Sequence, residues 1–166
     1  LRSNASDTHS GHITPNANNT LNLGSGALKY ANVYATTFQG ISTSAKYADM
    51  AEIYSADTEI APGTVVCFGG TAEVTACGTD ADPRVAGIVS TNPAYLMNSE
   101  ADGVAVALQG RVPCKVSGSI EKGDMMVSDG NGGARAEANP KMGSVIGKAL
   151  EDSEGDAVIE VVVGRM

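Results

Sequence analysis

The sequence has no tryptophan, and aromatic residues make up only 4% of its 166 residues. A core must therefore be built from Val, Ile, Leu, Ala and Met, and the apolar fraction of 42% is large enough for one. Glycine is abundant, at 20 residues, and short Val-rich runs recur along the chain. This combination favours many short strands joined by tight turns over a helical fold.

Clustered positive charge is also missing. The formal net charge is -8, and no basic run occurs. Binding to the phosphate backbone of DNA or RNA needs clustered Lys and Arg, so we predict no nucleic-acid partner.

Long apolar segments are missing as well. There is no stretch of roughly 18 apolar residues and no signal peptide, so we predict neither membrane insertion nor Sec export. The chain opens at Leu1 without an initiator Met, as expected of a piece of a longer polypeptide.

Motifs for cofactors and disulfides are likewise scarce. Cys67, Cys77 and Cys114 are odd in number and show no CxxC spacing. We interpret them as small buried apolar residues, and not as a disulfide framework or a zinc site. The glycine-rich stretch 128–133 lacks the Lys and the strand–loop–helix context of a phosphate-binding loop, so we interpret it as a turn between strands. We expect no cofactor.

The first part of the chain differs from the rest in composition. Residues 1–43 begin as a polar segment and then alternate apolar and polar residues at 21–24 and 31–38, the pattern of half-buried strands. A segment this polar cannot bury enough apolar surface to fold by itself. It is either disordered or, as we favour, a β-rich fibre stem that gains burial when identical chains wind together. Residues 44–59 are predicted to form a junction, with a short helix over 44–55 capped by Ser44 and then a linker.

Residues 60–166 are predicted to form a compact, mainly β domain of the barrel or sandwich type. Short apolar runs follow one another at even spacing, with Gly, Asn, Asp and Pro between them. The run 158–163 is apolar on both faces, which is typical of a strand in the middle of a core or at a subunit interface. Residues 92–97 indicate a turn leading into an apolar segment or one helical turn. The predicted strands are 64–68, 72–76, 84–90, 104–109, 111–116, 125–128, 144–150 and 157–163.

The order of several motifs resembles the C-terminal part of a bacteriophage tail fibre or tailspike. LRSNASDT at 1–8 with SGHI at 10–13 resembles a short fibre repeat, and LGSG at 23–26 with YANVYATTF at 30–38 resembles the strand module before a terminal domain. The remainder is similar to the autoproteolytic intramolecular chaperone domain of phage pre-neck appendage proteins, classed with the glutamic peptidases. Its matching stretches are ADMAE at 48–52, PGTVV at 62–66, VAGIVSTNPA at 85–94, VALQGRVP at 106–113 and KGD at 122–124.

The resemblance covers nearly the whole chain and implies a homotrimer. Three chains would intertwine along residues 1–43, and three terminal domains would pack about the axis. It also implies a virion protein that is made in the cytoplasm of the bacterial host. Any receptor would be a host cell-surface glycan or an outer-membrane protein, contacted by the loops at 69–70, 80–83, 98–103 and 130–133.

The junction carries the candidate catalytic residues. On a helix, Asp49 and Glu52 would share a face, where one carboxylate can serve as acid and the other as base in peptide hydrolysis. The resemblance implies that Glu52 is the catalytic carboxylate and that Asp49 borders the scissile bond, between Ala48 and Asp49. Cleavage inside a folded trimer needs no substrate binding, because the bond is already positioned. The alternative is an ordinary solvated helix face.

His9 and His12 are weak candidates for a metal site. Three pairs of imidazoles at a trimer axis could coordinate an ion, but two histidines in a polar leader are more often simply polar residues. We therefore predict no bound metal. Both histidines are also remote from any nucleophile-elbow motif, so the sequence does not favour Ser-His-Asp catalysis.

Two functions follow as hypotheses. The first is a virion structural protein, the distal trimeric part of a tail fibre or spike, which serves trimerisation and host contact. The second is an autoproteolytic chaperone that assembles the trimer and cleaves itself near Asp49, a single-turnover endopeptidase of the glutamic type. A small monomeric β-barrel binding module is a third alternative, outside the phage interpretation.

Overall fold

The computed structural model of the chain describes residues 10–12, 14–18, 22–31, 33–36 and 48–164. Contacts between residues divide the chain into two compact units, Leu1–Ile41 and Ser42–Met166. In the described part of the first unit the chain forms bends and turns, with no strand or helix. The predicted stem strands at 21–24 and 31–38 fall partly outside the described residues, and they depend on pairing with neighbouring chains. They stay a prediction.

The regular secondary structure of the described part of the second unit consists of β-strands, which confirms the mainly β domain predicted for residues 60–166. No helix in the described residues is long and apolar enough to cross a membrane. Strands β7 and β10 match their predicted bounds, whereas the predicted strands 104–109 and 111–116 join into one strand, β6. The strands are β1 (Asp49–Tyr54), β2 (Val65–Phe68), β3 (Val74–Ala76), β4 (Val85–Val89), β5 (Tyr95–Met97), β6 (Val104–Val116), β7 (Met125–Ser128), β8 (Ala134–Ala136), β9 (Val145–Ala149) and β10 (Ala157–Val163).

Five of these strands close into a barrel. β6 pairs with β10 on one side and, through Val116 and Ala134, with β8 on the other. β10 pairs with β9, β9 with β7, and β7 with β8, which completes the ring. Closure leaves no free edge in this part of the sheet. The larger core cluster includes the inward side chains of these strands, among them Val112, Cys114, Met126, Ile146, Ile159 and Val161.

A second, smaller core lies beside the first half of β6, which pairs with β1 and β4. β4 pairs with β2, and β2 with β3. β3 then returns to the end of β1 through a bridge between Val74 and Ala56. The buried centre of this cluster consists of Ile60, Val66, Val74, Val89 and Val106.

Strands β2, β4 and β6 separate the two cores. Successive side chains of a strand point to opposite faces, so neighbouring residues serve different cores. Burial on both faces explains why these strands appear in the sequence as continuous apolar runs and not as alternating ones. The pairs, with the member in the larger core first, are Val65 and Val66 on β2, Ile88 and Val89 on β4, and Ala107 and Val106 on β6.

Strand β10 is buried on one face only. Ile159, Val161 and Val163 lie in the larger core, whereas Val158 is 62% and Val162 is 39% exposed. The prediction that the run 158–163 lies in the middle of a core is therefore wrong for a single chain. Its alternative, a strand at a subunit interface, stays a prediction.

The predicted junction helix over 44–55 is wrong for residues 49–54, which form β1; residues 44–47 lie outside the described part. β1 pairs antiparallel with β6 and parallel with β5. Ala51, at its centre, is fully buried. A segment this short has little helical stability of its own, so pairing on both sides outweighs the helix propensity of its Ala, Met and Glu residues.

Cys67 and Cys77 form a disulfide, contrary to the prediction that the three cysteines are unpaired. In the β2–β3 hairpin Cys67 lies opposite Thr75, which brings the Cα atoms of the two cysteines to 5.1 Å. The pairing depends on hairpin register, which the cysteine spacing does not reveal. The prediction that the cysteines are buried is confirmed. Cys114 is a free thiol, and burial raises its pKa to about 12, which makes it unreactive.

Replacing both Cys67 and Cys77 with Ala is expected to lower the free energy of unfolding by about 3 kcal/mol, because the unfolded chain loses a covalent restraint. Urea denaturation with and without dithiothreitol measures the effect. The reductant should destabilise the native chain and the Cys114→Ala variant and leave the double variant unchanged. An equal response of all three proteins would contradict the pairing.

Candidate functional site

Backbone contacts hold the start of β1 against β6. The Arg111 N–H donates a hydrogen bond of 3.0 Å to the Ala48 carbonyl oxygen, and the Ala94 N–H donates one of 2.9 Å to the Asp49 carbonyl. Gly110 permits this approach: its φ is +105°, and a Cβ there would overlap the Ala48 carbonyl oxygen. The Ala48–Asp49 peptide bond, predicted to be scissile, is therefore held through its carbonyl oxygen, and the following carbonyl, that of Asp49, is held by Ala94.

Asp49 places a buried carboxylate beside a cleft of about 540 Å³. The residue is only 6% exposed, and its Oδ2 atom is buried without a hydrogen-bond partner. Asp49 also borders a second hollow, of about 410 Å³, next to Tyr95, Gln109 and Gly110. The first cleft, called the Asp49 cleft below, is lined by Ala48, Asp49, Ser90, Thr91, Asn92, Arg111, Pro113 and Glu160.

Three charged side chains line the Asp49 cleft. The Nε atom of Arg111 lies 3.8 Å from Oε2 of Glu160, near the outer limit of an ion pair. The two side chains are 59% and 33% exposed, so water screens their attraction and the pair contributes little stability. With Asp49 included, the cleft holds two carboxylates against one guanidinium group.

Glu52 points away from the Asp49 cleft. Side chains alternate along a strand, so Asp49 and Ala51 face one way while Met50 and Glu52 face the other. The Glu52 carboxylate accepts a hydrogen bond of 2.8 Å from the Tyr54 hydroxyl. The expectation that Asp49 and Glu52 share a face is therefore wrong, because it assumed a helix.

The strand geometry limits the chemistry of this pair. A general acid and a general base must both come within hydrogen-bond reach of the reacting atoms. Asp49 borders the Ala48–Asp49 bond directly, whereas Glu52 lies three residues along on the opposite face of β1. The catalytic roles of Glu52 and Asp49 stay predictions.

Two of the predicted host-facing loops, at 80–83 and 130–133, lie together. Asp80 and Asp129 form a β-bridge, and Arg135 donates hydrogen bonds of 2.6 and 2.8 Å to Asp80. The Arg135 guanidinium also donates to Glu137 at 2.9 Å. The hydrogen bonds from Arg135 lower the pKa of Asp80 below the ordinary value, so the Asp80 carboxylate stays charged at neutral pH. The bridge and the ion pairs hold the two loops in one place.

Two further candidate sites are the histidine pair and the glycine-rich stretch 128–133. His12 is exposed, and His9 lies outside the described residues. In the part of the chain that the structure describes, no three His, Cys, Asp or Glu side chains are grouped to hold a metal ion. Whether a metal binds at a trimer axis depends on other chains, so its absence stays a prediction. The stretch 128–133 forms the turn between β7 and β8, as predicted.

Sequence reasoning missed most of the Asp49 cleft. Ser90 follows β4, Arg111 lies on β6, and Glu160 lies on β10, so these side chains meet only through pairing between distant strands. The one local signal is Gly110, which stands between two apolar runs. A glycine inside a strand pattern often marks a close backbone approach.

The fold and the cleft define an all-β domain built on a five-stranded barrel with additional strands. Comparison of the sequence with protein-family profiles gives no match, and comparison with curated proteins gives none either. Among solved structures, the chain is similar to the N base of the head fibre gp8.5 of bacteriophage phi29. The TM-score is 0.42 at 12% sequence identity, over 69% of this chain and 92% of that chain.

Gly110→Ala is expected to lower the free energy of unfolding by about 2 kcal/mol more than Gly118→Ala. Both glycines have positive φ, so both variants strain the backbone, but a Cβ at 118 meets nothing within 4 Å. Urea denaturation measures the losses, and amide chemical shifts of Asp49 and Met50 report whether β1 moves. Equal losses in the two variants would show that the close approach at Gly110 does not hold β1.

Proposed function

We propose that the chain is a virion structural protein, the distal trimeric part of a phage tail fibre or spike. It would serve trimerisation and host-receptor contact, and it would be made in the cytoplasm of the bacterial host. The order of the resembling motifs, from the repeat at 1–13 to KGD at 122–124, supports this function. The partners would be further copies of the same chain and a cell-surface glycan or outer-membrane protein of the host.

The outer face of β10 is the observation that carries the trimer proposal. Val158 and Val162 are exposed at 62% and 39%, and they lie on the same face of one strand. Beside Val162 is a hollow of about 430 Å³ that is also bordered by Ala149 and Leu150. Glu160 lies between the two valines on this face. Single exposed valines are ordinary, but two on one strand face next to an apolar hollow favour a subunit interface.

The leader supports the same arrangement. Leu23, Leu28, Tyr30 and Tyr34 are exposed at 74%, 78%, 59% and 92%. The Ser25 side chain accepts a hydrogen bond of 3.0 Å from the Leu28 N–H, which closes a local turn but buries no core. Contact between these side chains and neighbouring copies would supply the apolar burial that so polar a segment lacks.

The loops proposed to contact a receptor are held in defined positions. Asp82 is 2% exposed and forms a pair of side-chain hydrogen bonds with Arg84, at 2.6 and 3.0 Å. These hydrogen bonds lower the pKa of Asp82 below the ordinary range. Directly after the loop at 69–70, the backbone N–H groups of Thr71 and Ala72 donate hydrogen bonds to Asp57. Loops fixed in this way lose little entropy when they bind, which favours recognition of a receptor.

A self-cleaving chaperone is the second candidate function. One observation favours it: a buried carboxylate, Asp49, borders a peptide bond whose carbonyl oxygen accepts a hydrogen bond from the Arg111 N–H. Such a hydrogen bond can stabilise negative charge that develops on the carbonyl oxygen. The position of Glu52 on the opposite face, bound to Tyr54, favours the structural role instead.

Val158→Asp is expected to weaken trimer formation at least about tenfold, because it would bury an unpaired charge in an apolar interface. Sedimentation velocity over a range of concentrations measures the association of the native chain and the variant. Ala138→Asp, which adds the same charge at an exposed turn, is the matched control and should associate like the native chain. A native chain that stays monomeric at every concentration would contradict the trimer.

Intact mass under denaturing conditions separates the two functions. For a freshly purified chain that begins upstream of Leu1, we expect a single full-length species, both in the native protein and in Glu52→Ala. Glu59→Ala controls for the loss of a nearby carboxylate. Two fragments in the native and Glu59→Ala proteins, the smaller beginning near Asp49, with an uncut Glu52→Ala variant, would instead establish the self-cleaving chaperone.

A further inference from the structure

One oxygen of the Asp49 carboxylate, Oδ2, lacks the hydrogen-bond partner that comparable buried side chains have. Thr64 accepts a hydrogen bond of 2.8 Å from the Lys115 ammonium group, and Asp82 pairs with Arg84. The hydroxyls of Ser128 and Ser144 donate to backbone carbonyl oxygens. In the part of the chain that the structure describes, the buried side-chain oxygen without any hydrogen-bond partner is Oδ2 of Asp49.

An unpaired buried carboxylate is costly. Removing a polar group from water without replacing its hydrogen bonds raises the free energy of the folded chain, and an ionised group raises it more. Native proteins avoid this cost by pairing the charge. A group from outside the chain that donates a hydrogen bond to Asp49 would therefore be strongly favoured.

The Asp49 cleft is suited to a positively charged donor. Its charged groups are Asp49 and Glu160 against Arg111, so the cleft as a whole attracts cations. The guanidinium group that lines this cleft, that of Arg111, pairs with Glu160. The hydroxyls of Ser90 and Thr91 and the amide of Asn92 line the same cleft and can accept further hydrogen bonds.

We propose that the Asp49 cleft binds a primary ammonium or guanidinium group, with the carboxylate of Asp49 as the acceptor. Both groups carry several donors that can reach Asp49 and neutral acceptors at the same time. A hard metal ion fits less well, since no three His, Cys, Asp or Glu side chains of the described residues are grouped to hold one.

Two sources can supply the same chemistry. One is a Lys or Arg side chain of a second copy of this chain, and the other is a free small amine. The proposal goes beyond the fibre function and does not depend on it, because the site is formed within one chain. Its failure would leave the trimer test with Val158 unaffected.

Amide spectra of the 15N-labelled chain at pH 7 test the binding. Methylammonium chloride and methylguanidinium chloride are titrated against NaCl at equal ionic strength, and the amides of Met50, Gly110 and Arg111 are followed. Saturable shifts with an organic cation, absent with NaCl, are expected. Asp49→Asn should weaken the binding about tenfold, as loss of a hydrogen bond to a charged group implies. Glu100→Gln, which removes one exposed carboxylate in the loop at 98–103, should bind like the native chain.

Sedimentation velocity distinguishes the two sources. If a second copy supplies the cation, Asp49→Asn will weaken self-association and added methylguanidinium will compete with it, while Glu100→Gln will do neither. If the source is a free amine, the organic cation will bind through Asp49 without changing the association. Either result supports the proposed chemistry.

Three results would overturn the proposal. They are shifts that NaCl produces equally, equal affinity in the native chain and Asp49→Asn, and a saturable response to CaCl2 but not to the organic cations. If Asp49→Asn does not fold, Glu160→Gln takes its place, because it removes the other negative charge of the cleft. An affinity that is unchanged in Glu160→Gln would then count against the proposal.

Discussion

Along its 13 residues, strand β6 forms hydrogen-bonded ladders with β1 and β4 in its first half and with β10 and β8 in its second half. Among the described strands, β6 is the one that pairs both with barrel strands and with strands around the smaller core. Because β6 is buried on both faces in its first half, a shift of its register by one residue would exchange the side chains of the two cores. The rest of the sheet depends on this register.

Gly110 lies where the two halves of β6 meet. It lets the chain come close enough for the Ala48 carbonyl to accept a hydrogen bond from Arg111, and it thereby fixes the direction in which β1 enters the sheet. That direction decides the chemistry of the junction. Asp49 faces a cleft formed by three strands and loops, while Glu52 faces the other way and binds Tyr54. The same constraint that stabilises the fold therefore separates the two carboxylates, and Oδ2 of Asp49 has no hydrogen-bond partner.

Strands with strong local patterns were predictable from the sequence, and features set by distant pairing were not. β7 and β10 have their predicted bounds because an apolar run ends at clear turn residues on each side. β1 was predicted as a helix because its Ala, Met and Glu residues favour one locally, whereas β5 and β6 decide its conformation. The Cys67–Cys77 pair and the Asp49 cleft depend on hairpin register and on strand order, which no short segment encodes. The resemblance to phage fibres named Asp49 as a residue of interest, but it could not show which way the side chain points.

Hydrogen exchange of the β1 amides measures whether β1 is an integral strand of the sheet or a separate junction. Peptide-level exchange of the whole chain would compare residues 49–54 with residues 104–116. The account predicts that β1 exchanges as slowly as β6, because the two open together. Fast exchange of β1 alone, with β6 still protected, would contradict it and would mean that the junction opens independently of the barrel.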